Sequence, residues 1–244
     1  MLLTIKNVSK SFGGLRVLTN FSAEIGRKEV VGLIGPNGAG KSTLFNLITG
    51  ISLPDTGSIR LGQSELVGLS AHRICHLGIA RTFQLVKVFP TLTCLENVRL
   101  GAEFGPGLWR KRSGLEPGEC LEAVGLRNQA DTLVGRLTFS DRRRLEVARA
   151  LATNPHLILL DEPMAGLSDT DTRTMTGVIR RIREETDMAV FWVEHNIEAV
   201  FGLSDRLIVL DFGVKIAEGS PTEVAKNATV IDAYLGSGWI ERAC

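Results

Sequence analysis

A chain of 244 residues with 44% hydrophobic side chains has enough apolar material for one large domain, or for a core with a substantial insertion. Its net charge of +1 offers a polyanion no basic field, so nucleic acid is not an expected partner. The mean hydropathy of +0.12 is mildly high, yet apolar runs such as "HLILLDEP" and "MAVFWVEH" are short and end in charge. None approaches the ~20 residues of a membrane span, and "MLLTIKNVSK" turns polar too soon for a signal peptide. Cys75, Cys94, Cys120 and Cys244 are scattered without a C-x-x-C pair and read as reduced thiols in a cytosolic protein.

In chain order, "LLTIKNVSKSF" and "VLTNFSAEI" read as two strands joined by a turn at Gly13–Gly14. "EVVGLIG" is a short, β-branched, glycine-bounded run, the pattern of a fully buried strand. It leads into "GPNGAGKS" and the short helix "TLFNLITG", closed by Gly50. "GSIRLG" and "GIARTFQ" follow as further strand-like segments. From 85 to 154 the pattern turns helical, in "LTCLENVRLGAEF", "GECLEAVGL" and "RRRLEVARALATN"; the glycine-rich, basic "GPGLWRKRSGLEPG" between the first two reads as an exposed loop. Strand and helix then alternate: "LILLD", "DTDTRTMTGVIRRIREE", "AVFWVEH", "NIEAVFGL" and "RLIVLD". This alternation predicts an α/β fold with parallel strands. The expected division is a core of 1–84 and 155–244, with residues 85–154 inserted as a helical subdomain.

"GPNGAGKS" matches G-x-x-x-x-G-K-[ST] after a predicted strand and before a predicted helix, the context that motif needs. Gly35, Gly38 and Gly40, with Pro36, Asn37 and Ala39 between them, let successive N–H groups turn inward as an anion nest. The helix that continues through Thr43 points its positive end at the same place. Lys41 adds a full charge for β and γ phosphates, and the Ser42 hydroxyl suits Mg²⁺. "LILLDEP" delivers Asp161 and Glu162 to a strand end, where open parallel sheets place ligands. Asp161 suits support of Mg²⁺, and Glu162 suits polarising an attacking water. His195 ends "AVFWVEH" and Gln84 ends "IARTFQ", both at strand ends.

Taken in order, phosphate loop, glutamine, "RRLEVARAL", "LLDEP", "AGLSD" and "VEH" make the chain resemble the ATP-binding subunit of an ABC transporter over nearly its whole length. The resemblance implies a P-loop NTPase core with a parallel sheet, an N-terminal antiparallel β subdomain and an inserted helical subdomain. It implies ATP and Mg²⁺ as ligands, with Ser42, Gln84 and Asp161 at the metal. Glu162, His195 and Gln84 would serve hydrolysis. Phe12 would stack on adenine; read by itself, it is equally a core residue near a turn. "GIARTFQ", "RRLEVARAL" and "GSPTEVAKNATVIDAYLG" resemble the importers for branched-chain amino acids and related amides or urea, and no regulatory domain is expected beyond them. Implied partners are permease subunits, a second ATP-binding subunit and an external binding protein, at the cytoplasmic face of the membrane. A low-turnover binding subunit and a non-transport ABC ATPase are the alternatives.

One stretch departs from the family. Where "LSGGQ" or "LSYGQ" opens the signature helix, this chain has Leu137, Thr138, Phe139, Ser140 and Asp141. Ser140 stands for a glycine and Asp141 for a glutamine. In the family each ATP lies between the phosphate loop of one protomer and the signature turn of the other. Asp141 therefore either repels the partner's nucleotide or caps its own helix and points away. The segment "LVKVFPTLTCLENV" is likewise open between a permease docking surface and subdomain core, with Val86, Val88, Phe89 and Leu92 as its apolar residues.

Overall fold

The computed structural model describes residues 1–105 and 115–235; most of the predicted basic loop, and Cys244, lie outside the described residues. The elements run β1 (Leu3–Phe12), β2 (Leu15–Ile25), β3 (Val30–Ile34), α1 (Lys41–Ile48), β4 (Thr56–Leu61), β5 (Ser64–Glu65), α2 (Ala71–His76), β6 (Ile79–Arg81), α3 (Cys94–Phe104) and α4 (Pro117–Ala123). They continue as α5 (Phe139–Ala152), β7 (Leu157–Asp161), α6 (Asp169–Glu185), β8 (Ala189–Val193), α7 (Ile197–Leu203), β9 (Arg206–Asp211), β10 (Val214–Gly219), α8 (Pro221–Ala225) and α9 (Ala228–Val230). The chain divides into two units, Met1–Ala71 with the chain from Phe191, and His72–Val190. These borders fall at 71/72 and 190/191, whereas the sequence places them at 84/85 and 154/155.

In the first unit, β1 pairs antiparallel with β2 and with β4, giving the order β2-β1-β4-β5. Alternation along the hairpin turns Leu3, Ile5, Val8, Leu18, Phe21, Ala23 and Ile25 inward. Every residue of β3 is buried. It runs parallel to β9, Val31 opposite Arg206 through Ile34 opposite Val209, and β10 adds an antiparallel neighbour to β9. The result is a mixed arrangement. The sequence reading missed β10, because "VKIAEG" is half-exposed along its length and carries no buried stripe. Helix α1 buries Leu44, Phe45, Leu47 and Ile48, and the Phe45 ring meets Phe191 at 5.2 Å.

The second unit combines β6 and β7, parallel from Ile79 opposite Leu157 to Arg81 opposite Leu159, with helices α3 to α6. Thr93 and Glu96 close a capping box on α3. Gly101 lies so close to α5 that a Cβ there would sit 2.3 Å from the Arg149 carbonyl oxygen. Helix α6 spans Asp169–Glu185 and buries Met175, Val178, Ile179 and Ile182, one stripe at helical spacing. β8 is buried throughout.

The turn joining β9 to β10 reaches toward the phosphate loop. Phe212 and Gly213 both have positive φ, 41° and 78°. Gly213 donates its N–H to the Ala39 carbonyl at 3.0 Å and accepts from Thr19 N at 2.9 Å. A Cβ at Gly213 would lie 2.3 Å from the Val17 carbonyl oxygen. A left-handed residue with a Cβ costs about 1–2 kcal/mol before any clash. Gly213→Ala should therefore lower Tm by at least ~2 °C in a chain of this size and weaken nucleotide binding with it. An unchanged Tm in a thermal melt would show that the turn does not support the loop.

Candidate functional site

The phosphate loop leaves β3 through Gly35 and enters α1 after Gly40. Gly35 adopts φ 149°, and a Cβ there would sit 1.9 Å from the Leu210 carbonyl oxygen, so glycine alone fits. Gly40 is the N-cap of α1 in the left-handed region. Lys41, 5% exposed, folds its ammonium back onto the loop, donating to the carbonyls of Gly35 at 2.7 Å and Pro36 at 2.9 Å. Asn37, Gly38 and Ser42 are exposed, while Ala39 is buried and Thr43 half-buried.

The helix ends differ in how their first N–H groups are used. Helices α3, α5 and α6 are capped by the side chains of Thr93, Thr138 and Ser168, and each has an acidic residue in its first turn. Helix α1 has neither a side-chain cap nor an acidic residue in its first turn. Its first N–H groups and the positive end of its dipole are left for a ligand.

At the other end of the same unit's chemistry, Phe12 closes β1 beside Gly13–Gly14. It is 49% exposed with the Lys10 ammonium 5.1 Å from its ring centroid, which removes the core alternative. His195 is exposed beyond β8, its N–H held by the Glu194 carboxylate at 2.9 Å.

In the second unit the strand ends of β6 and β7 bring three predicted residues together. The four apolar residues of β7 are fully buried and end in Asp161, itself 2% exposed. A carboxylate this deep needs compensation. Arg81 supplies it, donating from Nη2 to Asp161 Oδ2 at 2.7 Å, with both side chains almost fully buried. The Thr82 hydroxyl accepts from the Asp161 N–H at 3.2 Å. Asp161 Oδ1 is buried with no hydrogen-bond partner among the described residues. That lone acceptor fits a hydrated divalent cation, for which Mg²⁺ is chemically apt. Gln84 is exposed and donates from Nε2 to Glu162 Oε2 at 3.0 Å. Glu162 holds φ at 50°, an unusual backbone for glutamate. Arg81 and Thr82 were not anticipated from sequence; the charged residue closing an otherwise apolar strand "GIAR" was the available signal.

The departure at the signature turn has a definite geometry. Thr138 is the N-cap of α5 and its hydroxyl accepts from the Asp141 N–H at 3.1 Å. The Asp141 carboxylate pairs with Arg144 one turn along the same helix. Arg144 also donates to the Val124 carbonyl at 2.8 Å. Ser140 is 7% exposed. The Ser168 hydroxyl, which donates to Asp171 Oδ2 at 2.7 Å, and the nearby Arg144 charge hold the Asp171 carboxyl below the usual carboxylate range. Asp141 thus serves its own helix. In the segment after Gln84, Leu85 and Phe89 are 79% and 50% exposed, whereas Val86, Val88 and Leu92 are half-buried.

With this geometry in hand, comparison with known proteins is decisive. The ABC transporter family matches residues 18–165. The chain belongs to the ABC transporter family. This ABC ATPase also matches the family described as branched-chain amino acid ATP-binding cassette transporter over residues 214–239. It is 37% identical to the high-affinity branched-chain amino acid transport ATP-binding protein BraF of Pseudomonas aeruginosa, covering 96% of this chain and 98% of that one. It is 36% identical to the corresponding protein LivG of Escherichia coli K12 at the same coverage. Against the lipopolysaccharide export system ATP-binding protein LptB of that strain the identity is 32%, over 96% and 97%. Among solved structures, the ADP conformation of MJ1267, an ATP-binding cassette of an ABC transporter, superposes with a TM-score of 0.84 at 30% identity, over 97% of this chain and 99% of that one. The cassette is thus an ATP-binding subunit of an ABC transporter, close to the branched-chain amino acid ATPases. Among the described residues no helix is long and apolar enough to cross a membrane.

The buried Arg81–Asp161 pair yields a direct test. Arg81→Met leaves the Asp161 carboxylate without that guanidinium and should destabilise the ABC ATPase by about 3–5 kcal/mol. Adding Asp161→Leu should recover most of the loss. Urea unfolding of both variants, without nucleotide, checks this; equal stability of Arg81→Met and wild type would show that the pair carries no weight.

Proposed function

We propose that this chain is the ATP-hydrolysing subunit of an importer for branched-chain amino acids or related amides. In this reading it works at the cytoplasmic face of the membrane with transmembrane permease subunits and a second ATP-binding subunit, and indirectly with an external solute-binding protein. The observation that supports it most is the phosphate loop, an uncapped helix end with Lys41 buried beneath it. The 37% identity to the BraF protein, against 32% to the export-system protein, favours the importer branch.

Chemically, Gly35 to Thr43 cradle the phosphates and Lys41 exchanges its carbonyl partners for phosphate oxygens. Phe12 offers an exposed ring for the base. Ser42, Gln84 and Asp161 are the side chains that would hold Mg²⁺, which when bound neutralises phosphate charge. Glu162 takes a proton from water, oriented by the Gln84 amide, and His195 offers a donor for the γ-phosphate. Binding at paired sites closes two ATP-binding subunits on each other, and this closure moves the permease, with Phe89 and Leu85 offering an exposed apolar contact. Two variants separate binding from chemistry. Lys41→Ala should weaken ATP binding by calorimetry, whereas Glu162→Gln should keep binding and slow turnover of the assembled transporter about 10²–10⁴-fold. Normal affinity in the first, or near-normal turnover in the second, would sink the corresponding role.

A low-turnover role has one observation in its favour. The α5 end is already closed by Thr138 and Asp141, unlike the open end of α1. A signature turn of this kind would offer the partner's nucleotide fewer free N–H groups. Ser140→Gly combined with Asp141→Gln keeps the Thr138 cap but takes a Cβ and a carboxylate out of the turn, and should raise turnover at the opposing site and leave the Lys41–Glu162 site unaltered. Because Asp141→Gln also releases the Arg144 guanidinium from its partner, the part of the gain that comes from charge should shrink with added salt. Reading each site separately, by inactivating one glutamate at a time, checks the asymmetry; equal effects on both sites would overturn it.

A further inference from the structure

Helix α5 does more than open with the signature turn. Three of its side chains hold the main chain on either side of Gln84. Glu146, 2% exposed, accepts at Oε1 from the N–H of Phe83 at 3.3 Å and the N–H of Lys87 at 3.2 Å. Arg143 donates from Nη1 to the Phe83 carbonyl at 3.0 Å, and Arg149 donates from Nη2 to the Lys87 carbonyl. The N–H and C=O of Phe83 and of Lys87 are therefore all bound by one helix. Between these two anchors Gln84 and Leu85 stand exposed, and Gln84 meets Glu162 from there.

Arg143, Glu146 and Arg149 are spaced three apart, so they share one stripe of α5. Burial pushes the Glu146 carboxyl up, and two backbone N–H bonds and the two guanidinium charges oppose that rise. A carboxylate held at such cost in a helix otherwise packed by Leu145, Val147, Ala148 and Leu151 is explained by what it binds. Loose backbone groups at both ends of a short bow would let its middle residue wander. Fixing them sets where the Gln84 amide stands.

We propose that Glu146, with Arg143 and Arg149, is a positioning residue for Gln84: it anchors both ends of the Phe83–Lys87 bow to the signature helix, so that the Gln84 amide stays at the Glu162 carboxylate. The consequence for turnover rests on the ATPase reading above. The anchoring itself does not.

The test uses the full chain. Amide hydrogen exchange across Phe83–Lys87 is read without nucleotide, and kcat and KM for ATP are read in the assembled transporter. Glu146→Ala should speed exchange of the Phe83 and Lys87 amides about tenfold or more, while the amides of α5 stay near wild type. It should lower kcat about tenfold with KM nearly unchanged. Glu146→Gln keeps an oxygen that accepts both N–H groups and should restore both readouts. Unchanged exchange in Glu146→Ala overturns the anchor. Faster exchange with kcat intact, or a rise in KM alone, overturns the positioning role and leaves a structural one. Should Glu146→Ala fail to fold, Arg149→Met, which frees the Lys87 carbonyl and removes the guanidinium beside Glu146 and the Phe89 ring, must speed local exchange and lower kcat in the same pattern, and failure to do so overturns the proposal. If wild type hydrolyses no ATP, the hydrolytic reading fails while the exchange data still decide the anchor.

Discussion

A charge taken out of water must be met by another charge or by hydrogen bonds, and this constraint organises the cassette. Lys41, Asp161 and Glu146 are each at most 5% exposed. Each is satisfied by a different device. Lys41 turns onto two carbonyls of its own loop. Asp161 takes the Arg81 guanidinium from the neighbouring strand. Glu146 takes two backbone N–H groups. An isolated buried ion would cost several kcal/mol, so the elements carrying these partners have little freedom to drift.

The three devices differ in what a ligand would do to them. The carbonyls under Lys41 are uncharged partners, which phosphate oxygens would outcompete. The Arg81–Asp161 pair leaves one carboxylate oxygen without a hydrogen-bond partner among the described residues, so an incoming cation need not break it. The Glu146 contacts face the chain's own backbone. Exchangeable contacts therefore lie at the strand and loop ends, and fixed ones lie inside the helical region. That division suits a site in which nucleotide chemistry is borne by a rigid support.

The signature turn shows how far a motif can depart while the helix behind it remains sound. Thr138 and Asp141 together close the N-terminus of α5 as Ser168 and Asp171 close that of α6. The pairing of Asp141 with Arg144 sets a guanidinium against the negative charge that the bare sequence leaves open. What remains is a difference in donors, because N–H groups given to a side-chain cap are not offered to a phosphate.

Most local patterns were legible in the sequence, β10 being an exception. "GPNGAGKS" specifies its own backbone, because Gly35 and Gly40 need conformations that nearby residues cannot supply otherwise. The runs "LILLD" and "AVFWV" declare buried strands by composition, and the helical stretch "DTDTRTMTGVIRRIREE" coincides with α6. These features depend on neighbours a few positions away. Arg81 with Asp161, Glu146 with Phe83 and Lys87, and Gly213 with Ala39 and Val17 join residues 59 to 196 positions apart, and no short-range pattern encodes them. On the sequence alone Arg143 and Glu146 belong to the polar face of α5, and only packing turns that face inward. Local sequence thus determined the phosphate loop and most of the segments that become strand or helix, though not the half-exposed β10. Which buried charges meet, and whether Asp141 faces a nucleotide or its own helix, was decided by the fold, because side-chain pairing is set by distances that exist only once the chain has closed on itself.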